Sequence, residues 1–212
     1  MKVVFTMGGI THYLSPLLDN VVRKGVDVVM VIPSVKDNQT IGKGVKLVNN
    51  EALYQVRYSE IKQGWYGKTI LTDLKTILNE EKPDIVVLGW PYFLQYFFDR
   101  QLRLLIKENN IKLIIREIPF QVPPFGQLSY FKENPVYDEN MILQSRGMSF
   151  FIRALCTMYI RKFVYKHADA TINYASCAYD ILPSYGVNKD KIFVTYNTPN
   201  TESLIRLREK VL

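Results

Sequence analysis

The first 33 residues constrain the fold more than any other stretch. Residues 3 to 7 are a short, largely apolar run that ends at Gly8-Gly9. Leu14, Leu17, Leu18, Val21 and Val22 follow at helical spacing, with Ser15-Pro16 as a helix start and Gly25 as a stop. Val26 to Ile32 is a second apolar run. Strand, glycine turn, helix, strand is a βαβ unit, which requires parallel strands and a right-handed crossover.

The same alternation continues down the chain. Leu53 to Tyr58 reads as a strand, Ile61 to Lys68 as a loop carrying Trp65 and Tyr66, and Thr69 to Glu81 as a helix. Ile85 to Leu88 reads as a strand that ends at Gly89-Trp90-Pro91. Residues 92 to 109 read as a helix and Ile111 to Ile115 as a strand. Phe120 to Asn140 is longer than an ordinary connection, and 146 to 168 is a long basic and aromatic helix. A strand at Thr171 to Tyr174, a helix at Cys177 to Tyr185 stopped by Gly186, and a strand at Lys191 to Thr195 follow; 202 to 212 has a helical pattern. Apolar strands without polar alternation belong to a sheet covered on both faces. The expected fold class is α/β: a Rossmann-like three-layer α/β/α arrangement with a mostly parallel sheet.

Composition removes several classes. Hydrophobic residues make up 48% of the 212 and charged residues 22%, which excludes a disordered or collagen-like chain. Two cysteines, Cys156 and Cys177, make neither a disulfide framework nor a zinc site, and reduced thiols are expected. With only His12 and His167 as imidazoles, no metal is expected. A formal charge of +7 suits an anionic partner without choosing one. No RNP-like aromatic pattern points to nucleic acid. The N-terminal apolar run is too short for a signal peptide, and no stretch approaches the roughly 20 apolar residues of a membrane span. A cytoplasmic location is expected, with a peripheral place on an anionic inner membrane face open to the helix at 146–168. At about 100° per residue, Arg153 and Arg161 lie about 80° apart and Lys162 and Lys166 fall well beyond, so that helix spreads its charge.

The candidate site residues gather at strand ends. Gly8 and Gly9 let backbone approach a phosphate, though without the G-x-G-x-x-G fingerprint or a Walker loop; a plain tight turn is the other reading. His12, just beyond, stands where a general base or hydrogen-bond donor would, or is a surface histidine. Trp90 follows a strand end and can stack on a sugar or ring, or wedge the core. Arg116 and Glu117 follow another strand end; the carboxylate can orient an acceptor hydroxyl and the guanidinium can meet a phosphate, or the two can form an internal ion pair.

Several passages together resemble the N-terminal half of family 4 glycosyltransferases, which have the GT-B architecture. They are the Lys2-to-Phe5 strand with Gly8-Gly9, Gly25-Val26-Asp27-Val28, Lys82-Pro83-Asp84-Ile85-Val86, and His167-Ala168-Asp169-Ala170-Thr171-Ile172. Gly186 to Val194 and Tyr196-Asn197-Thr198-Pro199-Asn200 complete the set, in order over nearly the whole chain.

The resemblance implies a retaining transfer of sugar from a nucleotide-sugar to a glycan or lipid-linked acceptor. The nucleotide-sugar would serve as donor substrate, with no cofactor and no metal. It implies an acceptor-side domain over residues 1–200, a linker or helix from 201 to 212, and a donor-binding second domain beyond it, so that this part alone would be inactive. Gly25 departs from the pattern, since no His follows it. By position, the resemblance assigns Gly8 and Gly9 to the donor diphosphate and Thr11 to acceptor or sugar contact, to which the strand-end readings add Trp90 and Arg116. It makes His12 and Glu117 the catalytic residues. The alternative is a free-standing α/β domain that binds a phosphorylated ligand or scaffolds a separate catalytic subunit.

Overall fold

The structure is a computed structural model that describes residues 1–35, 47, 52–64, 67–119, 122–135, 143, 146–195, 205, 206, 208 and 209. Trp65 and Tyr66, the 196–200 passage and most of the 202–212 helix lie outside the described residues, as do parts of the 120–140 loop. The chain divides into two compact units, Met1–Ile114 with Tyr196–Leu212, and Ile115–Thr195. The boundary between the units falls within one strand, between Ile114 and Ile115.

In the first unit, β1 (Lys2–Thr6) lies between β2 (Asp27–Pro33) and β6 (Ile85–Gly89), parallel to both; Val4 faces Val29 on one side and Val86 on the other. β3 (Gln55–Ser59) continues the sheet in parallel beyond β2. Val28 to Val31 are buried without a break, as a strand covered on both faces requires. The helix α1 (Leu14–Arg23) buries Leu14 and Leu18 against Val28 and Met30. Pro16 sits two residues into it rather than at its start. Amides of the first turn have no intrahelical partner, so proline's missing N–H costs nothing there. Gly25 ends the helix at φ +84°, a conformation that favours glycine.

Two expectations are corrected in this unit. The Ile61-to-Lys68 loop and the first turn of the expected helix instead form an antiparallel hairpin, β4 (Ile61–Gln63) with β5 (Thr69–Leu71). Gly67 at φ +63° and the Gly64 N to Lys68 O bond of 2.8 Å close its turn, leaving α2 (Leu74–Glu81) to start later. The expected helix at 92–109 is two helices, α3 (Phe93–Phe98) and α4 (Arg100–Glu108). Asp99 is extended between them, and its carboxylate accepts the Leu102 amide at 3.0 Å.

With this strand order, the right-handed crossovers that parallel strands favour imply α1 on one face of the sheet and α2 and α4 on the other. Lys75 of α2 bonds Gln101 of α4 at 3.0 Å and pairs with Asp99 at 3.0 Å, consistent with a shared face. The architecture is the expected three-layer, Rossmann-like α/β/α with a largely parallel sheet.

β7 (Lys112–Glu117) carries the chain into the second unit. There β8 (Ala170–Asn173) and β9 (Ile192–Val194) pair in parallel, with Thr171 opposite Ile192. A one-turn helix, α5 (Tyr130–Glu133), lies within the long 120–140 connection. The 20-residue α6 (Met148–His167) buries Met158, Ile160, Val164 and Tyr165. The helix expected over 177–185 is α7 (Ala178–Ile181) followed by a 3₁₀ turn, Leu182–Tyr185, where Pro183 lacks an N–H to continue the α ladder.

Candidate functional site

β1 sends its chain toward β2, while β6 sits on the opposite side of β1. Ligands of open α/β sheets bind outside the carboxyl ends of strands at such a reversal. Thr6, the last residue of β1, ties the two strand ends together. Its hydroxyl donates to Val87 O at 3.1 Å and accepts from Gly89 N at 3.2 Å. A buried threonine closing an otherwise apolar strand was the available sequence signal, and sequence reasoning missed it.

The turn after β1 holds four of the candidate residues. Gly8 is half-buried and Gly9 buried; Met7 N bonds Val31 O at 3.1 Å and fixes where the turn leaves the sheet. Thr11 is 2% exposed, and its hydroxyl has no hydrogen-bond partner among the described residues. A buried hydroxyl in that condition loses hydration without compensation. The Thr11 carbonyl accepts the Ser15 amide at 3.0 Å, so the turn runs straight into α1. His12 is exposed, its ring edge-on to Tyr13 at 5.4 Å. Trp90, in the turn after β6, is half-buried, with its ring 5.4 Å from that of Phe93 and the Lys68 ammonium 5.8 Å above it.

Arg116 and Glu117 belong to the second unit, at the end of β7. Glu117 is 4% exposed. Its Oε2 accepts the Tyr165 hydroxyl at 2.8 Å and Arg161 Nε at 3.2 Å. The internal ion pair thus forms with Arg161 of α6 and not with the adjacent Arg116, whose guanidinium stacks 4.4 Å over the Tyr174 ring. Arg161 and Tyr165 are four apart and share one helix face, a legible pattern whose partner 44 residues away was not. Burial, then the Glu117 charge, pushes the Tyr165 hydroxyl well above its ordinary value. Burial opposes the Arg161 charge, and the Glu117 carboxylate outweighs it, holding the guanidinium protonated. Tyr185 donates to Pro123 O at 2.7 Å, and burial pushes its hydroxyl up to about 12.

Among the described residues no group of three His, Cys, Asp or Glu side chains could hold a metal, and no helix is long and apolar enough to cross a membrane.

No family model and no curated protein matches the chain. Solved structures do. UDP-GlcNAc 2-epimerase from Neisseria meningitidis, bound to UDP-GlcNAc, is 13% identical over 99% of this chain and 49% of its own, with a TM-score of 0.51. UDP-GlcNAc 2-epimerase from Methanocaldococcus jannaschii is 16% identical over 98% of this chain and 49% of its own, with a TM-score of 0.50. dTDP-glucose 4,6-dehydratase from Bacillus anthracis, in complex with NAD, is 14% identical over 82% of this chain and 54% of its own, with a TM-score of 0.43. The chain spans about half the length of these proteins.

The expectation of no cofactor is overturned here, because similar folds have been solved holding NAD. The diphosphate that NAD shares with a nucleotide-sugar suits the glycine turn and the unpartnered Thr11 hydroxyl. The described end of β2 offers Pro33 and Ser34 where NAD-binding folds of this type carry a carboxylate for the ribose. The likeness is one of fold, and it does not single out the family 4 glycosyltransferases. It assigns the chain to the Rossmann-like α/β/α folds.

Proposed function

We propose that the chain is the Rossmann-like half of an enzyme acting on nucleotide-sugars, and that its first unit holds the ligand's diphosphate over Gly8 and Gly9. The observation that carries this reading is the strand reversal at β1 and β6, where a glycine pair stands with a buried Thr11 hydroxyl that has no partner among the described residues. Backbone amides of such a turn meet phosphate oxygens, and the start of α1 adds its dipole. Thr11 would donate to the diphosphate and Trp90 would stack on a ring. His12, exposed beside the turn, would donate to or accept from the ligand. The binding of UDP-GlcNAc by the Neisseria epimerase supports the choice of ligand class.

A second reading keeps the glycosyltransferase, with this chain on the acceptor side and a donor domain elsewhere in the whole protein. The run of passages from Lys82 to Val86 and from His167 to Val194 favours it. There Arg116 and Glu117 would act at the acceptor, with Glu117 held in place by Arg161 and Tyr165.

Calorimetric titration with UDP, UMP, UDP-GlcNAc and NAD tests the proposal. UDP should bind at least about tenfold more tightly than UMP, and Gly9→Val should abolish that difference. Equal binding of UDP and UMP, or an unaltered Gly9→Val variant, would refute it.

A further inference from the structure

A pocket of about 280 Å³ opens in the first unit between the β4–β5 hairpin and the junction of α3 with α4. Ile70, Leu94 and Phe98 give it an apolar lining. Of the five polar or charged side chains that line it, three have partners, Gln101 among them through the Lys75 ammonium at 3.0 Å. The Gln95 amide is spent on Leu71, accepting its N–H at 3.1 Å and donating to its carbonyl at 2.9 Å. The Asp99 carboxylate is taken by Lys75 at 3.0 Å and by the Leu102 amide at 3.0 Å. Two cations are left for a ligand. Among the described residues Arg100 is exposed with no carboxylate partner, and Lys68 has no carboxylate partner either, its ammonium lying 5.8 Å over the ring of Trp90.

An apolar wall with two cations left over selects an amphipathic anion. The volume sets its size. At about 280 Å³ the space exceeds the roughly 150 Å³ of a cavity that takes benzene, enough for a single ring with a short arm. We infer that this pocket binds a small aryl carboxylate, its ring against Ile70, Leu94 and Phe98 and its carboxylate met by Lys68 and Arg100. The pocket is lined by neither Gly8, Gly9 nor Thr11, though it shares with the proposed nucleotide-sugar site the Lys68 ammonium over Trp90, so the test reads Arg100, Ile70 and Leu94 instead.

Methyl-labelled protein of the full 212 residues, titrated with phenylacetate and with neutral phenylacetamide, tests it. Phenylacetate should shift the Ile70 and Leu94 methyls saturably and bind about tenfold more tightly than the amide. Arg100→Gln, an exposed substitution whose fold far-UV circular dichroism checks, should reduce that preference several-fold and leave phenylacetamide binding unchanged. Absence of shifts at Ile70 and Leu94 would overturn the inference. So would equal binding of acid and amide, or a preference that Arg100→Gln leaves undiminished.

Discussion

Tyr165 donates its hydroxyl to Glu117 at 2.8 Å, across 48 residues of chain and inside the core of the second unit. That bond and the Arg161 pair hold the end of β7 to α6. Tyr165→Phe should lower stability by about 1–2 kcal/mol, because it removes one bond to a buried charge. Arg161→Met should cost more, about 3–5 kcal/mol, because the carboxylate is then left buried and unpaired. Denaturant unfolding of the two variants checks the order, and a larger loss for Tyr165→Phe would contradict it.

The hydroxyl of Tyr185 sits above its ordinary value of 10.0, at about 12 in the folded chain. The unfolded chain therefore loses that proton first as pH rises. Its contribution to stability is complete below pH 10 and is lost on the way to about pH 12. Tyr185→Phe should flatten the alkaline limb of a stability profile over that window, and an unchanged slope would refute the burial argument.

At the start of β1, Lys2 bonds Glu81 at 2.9 Å, and Arg57 bonds the same carboxylate at 2.6 Å. Burial raises the Glu81 pKa, yet the two cations outweigh it and hold the carboxyl below 4.5. This stabilisation is present above pH 4.5 and is lost as pH falls through the lower folded value. Glu81→Gln should cost about 1 kcal/mol at neutral pH and less at pH 3. Thermal melts at the two pH values measure the difference.

The Thr11 hydroxyl is buried and has no hydrogen-bond partner among the described residues. Replacing it with the like-shaped Val removes an unmet polar group, so Thr11→Val should stabilise the free chain by up to about 1 kcal/mol. The same change should weaken UDP binding by about tenfold. Gain of stability with loss of affinity separates a ligand-facing hydroxyl from an ordinary core threonine, which would show neither.

The βα repeat was legible because each buried strand is a continuous apolar run and each helix a single stripe, as in Val28–Val31 and Leu14–Val22. The hairpin of β4 and β5 was not, because its strands are three residues long and Thr69-Ile70-Leu71 flows into the helical stripe of α2. The division of α3 from α4 could have been read from Asp99, a cap residue placed inside an apolar run. In the candidate site, the places of Gly8, Gly9 and Trp90 just beyond β1 and β6 were legible because strand ends are visible in sequence. The buried state of Thr11 and the Arg161–Glu117 pair required tertiary structure, since both depend on residues that sequence spacing does not bring together.

The claim that the β1 turn receives a diphosphate is tested most directly by backbone amide shifts during titration with UDP. The account predicts saturable shifts centred on Gly8, Gly9, Ile10 and Thr11, reduced in the Thr11→Val variant. Shifts that leave those four amides unmoved while UDP binds elsewhere on the chain would contradict it.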